Sequence, residues 1–313
     1  MNGISALLTI SLITFFVLGM AVTSSLSLLL SINFESAFAQ RDTSIQEDGK
    51  SNLSNNTVTY SYNIYSSNNN VQEAPARLHN SSVSYYDNNT TGYLVYPELA
   101  NNTQQQQQQQ LMPAVVIIHE WLGLNEHIKN QADILAKEGY VVLAVDLYRG
   151  EVATDSNRAM ELASSVRNDP DSAIDNLQSA VNYIKSLEIV DGTRIASLGW
   201  CFGGDWSLQL ALNSSENPLA ATVIYYGRPV TDIASLSSID WPILGIFGDQ
   251  DQSIPVESVK QFASALNASD VTNEIFLYEG VGHAFANPSR DNYAPKETTD
   301  AWQKTIGFLR TYL

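Results

Sequence analysis

The chain has 313 residues, with 16 Lys and Arg against 33 Asp and Glu and a formal net charge of −17. So acidic a chain lacks the basic footprint that nucleic-acid binding needs, and the charge favours solubility without naming a substrate. A single cysteine excludes an internal disulfide framework. With neither a Cys/His metal-ligand cluster nor a Gly-rich phosphate loop in the sequence, no metal or organic cofactor is expected.

An uncharged apolar stretch from Ile4 to Asn33 is followed by Ala37-Phe38-Ala39, a small-x-small cleavage signature. Residues 1–39 therefore read as a secretory signal or, uncleaved, as a membrane anchor, and both place the rest of the chain outside the cytoplasm. Residues 40–80 are polar and rich in Ser and Asn, the composition of a low-complexity stalk. Asn-x-Ser/Thr acceptors recur at Asn52, Asn55, Asn80, Asn88, Asn89, Asn101, Asn213 and Asn267, so glycans are an option on an exported chain.

Regular patterning begins near residue 81. Val83–Tyr86 and Gly92–Tyr96, separated by Asp87-Asn88-Asn89, predict a short hairpin. The glutamine run 104–110 reads as a solvated insertion, and Ala114–Ile118 as a strand buried on both faces. Helical and strand patterns then alternate. Helices are predicted over His127–Glu138, Ser156–Arg167 and Asp171–Leu187, and later near Val256–Leu266 and Thr298–Tyr312. Strands are predicted over Tyr140–Val145, Ile195–Leu198, Ala221–Tyr225, Ile243–Phe247 and Glu274–Tyr278. Such a β-α alternation after a hairpin implies one α/β domain over residues 81–313. The expected architecture is a mostly parallel central sheet flanked by helices with an N-terminal antiparallel hairpin, the α/β-hydrolase arrangement.

Between the strand at Ile195 and a helix predicted over Asp205–Leu212 stands Gly199-Trp200-Cys201-Phe202-Gly203, a strand–turn–helix pattern that pushes its central residue into a cleft. Cys201 is the candidate nucleophile, at a helix N-terminus that favours thiolate. In this fold nucleophile, acid and histidine follow one another on loops at the carboxyl ends of strands. Asp249 and Asp251 lie after the strand at Ile243, and His283 lies after the strand at Glu274. His283 would carry the proton and one of the two aspartates would orient its ring. His119-Glu120-Trp121 follows the first buried strand, where the fold places the second oxyanion donor. The N–H groups of Phe202 and Trp121 are thus the expected pair.

These landmarks together resemble the dienelactone hydrolase (carboxymethylenebutenolidase) family. They are His119-Glu120 with Gly123 and Asn125, Asp146-Leu147-Tyr148, Gly199–Gly204, Tyr225-Tyr226-Gly227, Asp251-x-x-Ile-Pro255 and Gly282-His283-Ala284-Phe285. The resemblance selects Asp251 for a Cys201–His283–Asp251 triad. It also gives Glu120 a gating role, in which the acid holds the resting thiol and yields to substrate. The implied activity is cysteine-dependent hydrolysis of ester or lactone bonds in small molecules, by a chain expected to be monomeric. Hydrolysis of amides by the same groups and a binding protein on an inactive hydrolase fold are the alternatives. One departure stands out: Asn287 occupies the position where the family carries a substrate-gripping arginine. Arg158, Arg228 and the neighbouring Tyr226 are the candidates to bind substrate instead.

Overall fold

A computed structural model describes residues 77–87, 89–98 and 111–313. The predicted leader at 1–39, nearly all of the stalk and the glutamine run lie outside the described residues. Eight strands form one sheet: β1 (Leu78–Ser84), β2 (Thr91–Pro97), β3 (Met112–Ile118), β4 (Val141–Val145), β5 (Val190–Trp200), β6 (Ala221–Tyr225), β7 (Ile243–Gly248) and β8 (Asn273–Tyr278). Their spatial order is β1-β2-β4-β3-β5-β6-β7-β8. β1 pairs antiparallel with β2, β2 antiparallel with β4, and every later pairing is parallel. Among the described residues no helix is long and apolar enough to cross a membrane, and no group of three or more His, Cys, Asp or Glu could hold a metal ion.

β4, β6 and β7 are buried at every position, which explains their unbroken apolar sequences: helices cover both faces of a parallel sheet. α2 (Ser156–Asn168), α3 (Pro170–Lys185), α4 (Phe202–Leu212), α5 (Ile233–Leu236) and α6 (Val256–Ala268) contribute to the core on one face. α1 (Glu126–Lys137) and α7 (Pro295–Tyr312) build the core on the other. Each fully buried residue such as Ile117 or Leu143 contributes about 1.5–3 kcal/mol through burial.

Two elements differ from the sequence reading. β1 begins at Leu78, inside the segment read as stalk, because an edge strand with mostly exposed side chains such as Asn80 and Ser81 carries no apolar signature. α4 begins at Phe202, with Cys201 as its N-cap, rather than at Asp205. Glycines hide that first turn: Gly203 and Gly204 are poor helix formers yet stand where α4 meets the sheet.

Candidate active site

The turn that presents Cys201 is forced by close approach. A methyl group on Gly199 would lie 2.0 Å from the Gly203 carbonyl oxygen, and one on Gly203 would lie 2.1 Å from that of Ile118. Only glycine lets α4 cross β3 and β5 this closely. Cys201 itself takes φ +54°, a left-handed conformation that costs a non-glycine residue about 1–3 kcal/mol. Its N–H donates to Tyr225 O at 3.0 Å, which holds the strained turn against β6. A buried hydroxyl network fixes α4 behind it: Ser207 Oγ donates to Val223 O (3.1 Å) and lies 2.9 Å from Ser197 Oγ. As N-cap, Cys201 makes no side-chain capping bond, so the first-turn N–H groups of α4 keep their capacity for an anion.

His283 stands on the loop after β8 and reaches back over the elbow. Its Nε2 lies 3.0 Å from Cys201 Sγ, and its Nδ1 lies 2.7 Å from Asp251 Oδ2. Asp251 is buried, and its other oxygen accepts from the N–H groups of Ser253 (2.7 Å) and Ile254 (3.0 Å). The competing Asp249 instead accepts from Gly280 N–H at 2.7 Å, tying the loop after β7 to the loop after β8. Burial opposes charge on His283, but its hydrogen bonds to Asp251 and Cys201 and their charges outweigh it, pushing the imidazole up to about 10. The His283 ring is therefore protonated at neutral pH.

The loop after β3 is set by a histidine that the sequence offered only as a landmark. His119 is fully buried. Its Nε2 accepts from Leu147 N–H (3.1 Å), which leaves Nδ1–H to donate to Glu120 O (2.6 Å). Gly123 N–H donates to the same carbonyl at 3.1 Å. With the Glu120 carbonyl pinned twice, the Trp121 N–H of that same peptide unit is fixed in the opposite direction. Tyr148 Oη holds the next carbonyl, Trp121 O, at 3.0 Å, and its ring packs on His119 and Phe202. Burial lowers the His119 pKa, so the ring stays neutral in the tautomer this geometry needs. Beyond Tyr148 a hollow of about 400 Å³ opens, lined by Tyr86, Leu162, Val166 and Asp169 among others.

Glu120 is buried, and its carboxylate accepts from Asn287 Nδ2. Burial raises its pKa, opposed by the Asn287 bond and by the charges of Arg290 and His283. Among the described residues Cys201 Sγ pairs with His283 and not with Glu120, so the expected resting contact between acid and thiol is absent from this arrangement.

The two arginines proposed as substrate grips are engaged elsewhere. Arg158 makes a two-point ion pair with Glu151 (2.5 and 2.8 Å) and a second with Glu161 (2.7 Å) at the surface. Arg228 clasps Asp205 in the first turn of α4 through its backbone N–H (2.6 Å) and Nε (3.0 Å). Both were plausible because each follows a strand or opens a helix near the cleft, but a nearby acid captures each guanidinium. A cation beside the oxyanion loop is Arg290, one turn after Asn287, with its guanidinium 5.6 Å from the centre of the Trp121 ring. The only sequence signal for it is the Asn287-x-x-Arg290 spacing. The Tyr226 ring packs 5.2 Å from that of His283.

A model of the dienelactone hydrolase family matches residues 100–313. Among curated proteins, one from Methylorubrum extorquens named as a carboxymethylenebutenolidase is 32% identical over 215 residues, 64% of this chain and 72% of the relative. A Bradyrhizobium protein named as a 2-oxo-3-(5-oxofuran-2-ylidene)propanoate lactonase is 30% identical over 212 residues, 64% of this chain and 84% of the relative. Among solved structures, one from Klebsiella pneumoniae described as a dienelactone hydrolase superposes with TM-score 0.66 at 25% identity, covering 75% of this chain and all of that one. The dienelactone hydrolase of Anabaena variabilis gives TM-score 0.57 at 19% identity over 77% of this chain and supports the fold. The chain belongs to the dienelactone hydrolase family and is an α/β-hydrolase acting on carboxylic ester and lactone bonds.

Proposed function

We propose that the chain hydrolyses ester or lactone bonds of small molecules through a covalent acyl–Cys201 intermediate. The observation that carries this is the hydrogen-bonded chain from Asp251 through His283 to a cysteine on a strained elbow, at 2.7 and 3.0 Å. Cys201 Sγ attacks the carbonyl carbon as thiolate, and the Phe202 and Trp121 N–H groups stabilise the oxyanion. His283, already protonated, gives its proton to the leaving oxygen while Asp251 keeps the ring oriented. Water then attacks the thioester with His283 as base, and the acid product leaves with Cys201 restored.

A gating role for Glu120 requires its carboxyl to leave Asn287 and reach the Cys201 thiol, a contact this arrangement does not make. Burial favours its neutral form, and Asn287 holds the side chain. Arg290 offers a counter-charge to substrates that carry a carboxylate, as the lactone named for the Bradyrhizobium relative does. The apolar stretch before residue 40 supports export of the domain, which cell fractionation with an antibody to the C-terminal half would test.

The direct test is hydrolysis of short 4-nitrophenyl esters and of dienelactone by the wild type, Cys201→Ala and Cys201→Ser. Loss of at least about 10³-fold in Cys201→Ala is expected. Activity that survives Cys201→Ala would overturn the assignment.

A further inference from the structure

We propose that the Tyr226 hydroxyl is a catalytic group of this hydrolase: a neutral donor that binds the oxygen leaving the carbonyl carbon and afterwards the water that attacks acyl–Cys201. The proposal rests on the acyl–Cys201 reading above and adds to it a donor for the leaving side of the reaction.

Tyr226 follows β6 and takes φ +37°, a left-handed conformation unusual for a bulky aromatic residue. Its N–H donates to Ile246 O at 2.7 Å, so the strained backbone is held by the neighbouring strand. The ring is wedged between those of Tyr225 (6.0 Å), His283 (5.2 Å) and Phe285 (5.8 Å), all in tilted or edge contact, which leaves the side chain a single direction. With 1% of its surface exposed, Tyr226 buries a hydroxyl that has no hydrogen-bond partner. Folded chains rarely leave such a group unpaired, and strain and an orphaned donor at one residue beside a nucleophile point to a ligand that completes the bond.

The surroundings say which atom that is. Burial pushes the phenol well above its ordinary value of 10, so it remains a donor at every working pH. Neither Glu120 nor Cys201 accepts its hydrogen. The carbonyl oxygen of a bound ester already has the Phe202 and Trp121 N–H groups. The leaving oxygen must face His283 Nε2, which lies 3.0 Å from Cys201 Sγ, and Tyr226 packs against that same imidazole. In acylation the S–C bond forms, the C–O bond breaks and the His283 proton passes to the leaving oxygen, while Tyr226 keeps its own proton and stabilises the charge that develops there. In deacylation water adds to the thioester carbon, its proton passes to His283, and the C–S bond breaks to restore the Cys201 thiolate beside the protonated imidazole. The same hydroxyl then holds the water.

The test compares wild type with Tyr226→Phe, which keeps the ring packing, on acetate esters of 4-nitrophenol, phenol and ethanol. The loss in kcat should grow as the leaving group becomes more basic. It should be tenfold or less for 4-nitrophenyl acetate and about 10²-fold for ethyl acetate, with KM changed far less than kcat. Equal losses across the series, or none, would overturn the role. A second measurement needs no turnover: Cys201 alkylation by iodoacetamide should proceed at the same rate in both proteins. A tenfold change would mean that the hydroxyl acts on the resting thiol and would remove the proposal. A wild-type chain inactive on the whole series would remove both this role and the acyl–Cys201 reading, whereas a flat Tyr226→Phe loss removes only the former.

Discussion

Replacing Gly203 with alanine tests whether the close crossing of α4 over β3 positions the nucleophile. The added methyl would lie 2.1 Å from Ile118 O and 2.6 Å from His119 O, both backbone atoms that cannot swing aside, whereas real Cβ contacts stay beyond 3.0 Å. α4 must therefore withdraw by about 1 Å, because the packed interior has no slack to absorb the clash. Cys201 and the Phe202 N–H would move with the helix while His283 and the Trp121 peptide remain on other loops. A misplacement of about 1 Å costs on the order of 10²-fold in rate, or about 2.7 kcal/mol of barrier. Overpacking adds about 1–3 kcal/mol of destabilisation. Gly307, exposed within α7 with nothing within 4 Å of an added methyl, is the control, and alanine there should raise stability by about 0.5–1 kcal/mol with activity unchanged. The assay is kcat/KM on 4-nitrophenyl acetate together with thermal unfolding of both variants. A Gly203→Ala protein within about threefold of wild-type activity, melting at the wild-type temperature, would refute the reasoning.

His283 is held protonated up to about 10 and loses that proton as pH rises through this value, so kcat/KM should fall on an alkaline limb near pH 10. Asp251→Asn removes the partner that raises the imidazole, and the limb should move down by more than about one pH unit; a limb left in place would count against the assignment of Asp251. His119→Ala frees the Glu120 carbonyl and should cut kcat about tenfold to 10²-fold with KM nearly constant, read from steady-state kinetics. A KM effect alone would mean that His119 does not hold the oxyanion loop. Arg290→Ala should raise KM for esters bearing a carboxylate and leave neutral esters unaffected, whereas Arg158→Ala should change neither, since Glu151 and Glu161 occupy its guanidinium. Equal sensitivity of both ester classes to Arg290→Ala would contradict its role as a counter-charge.

Much of the fold was legible because burial on both faces writes itself into sequence: β3, β4, β6 and β7 are apolar runs of strand length between helical patterns. β1 was misplaced and α5 missed for the opposite reason, one being a polar edge and the other a single turn of helix. The order Cys201, Asp251, His283 on the loops after β5, β7 and β8 follows from the topology, and the structure brings these three side chains into one hydrogen-bonded chain. What sequence could not supply was the choice of partner by long side chains. Arg158 and Arg228 stand at suggestive positions, yet acids three to twenty-three residues away hold them, as Glu151, Glu161 and Asp205 demonstrate. Asn287 reads as the loss of a substrate contact, whereas in the fold it holds Glu120, with Arg290 one turn further along. The positioning work of His119 depends on two bonds to backbone atoms, one of them 28 residues away, which no local pattern records.

The central claim is that Cys201 forms a covalent bond with the acyl group, and intact-protein mass spectrometry tests it most directly. The wild type, mixed with 4-nitrophenyl acetate and quenched in acid within the first turnovers, should gain the mass of one acetyl group, and peptide mapping should place it on Cys201. His283→Ala should accumulate far less of this adduct, and Cys201→Ala none. Rapid release of 4-nitrophenol by the wild type with no acetyl adduct at any quench time, or an adduct that persists in Cys201→Ala, would contradict the account.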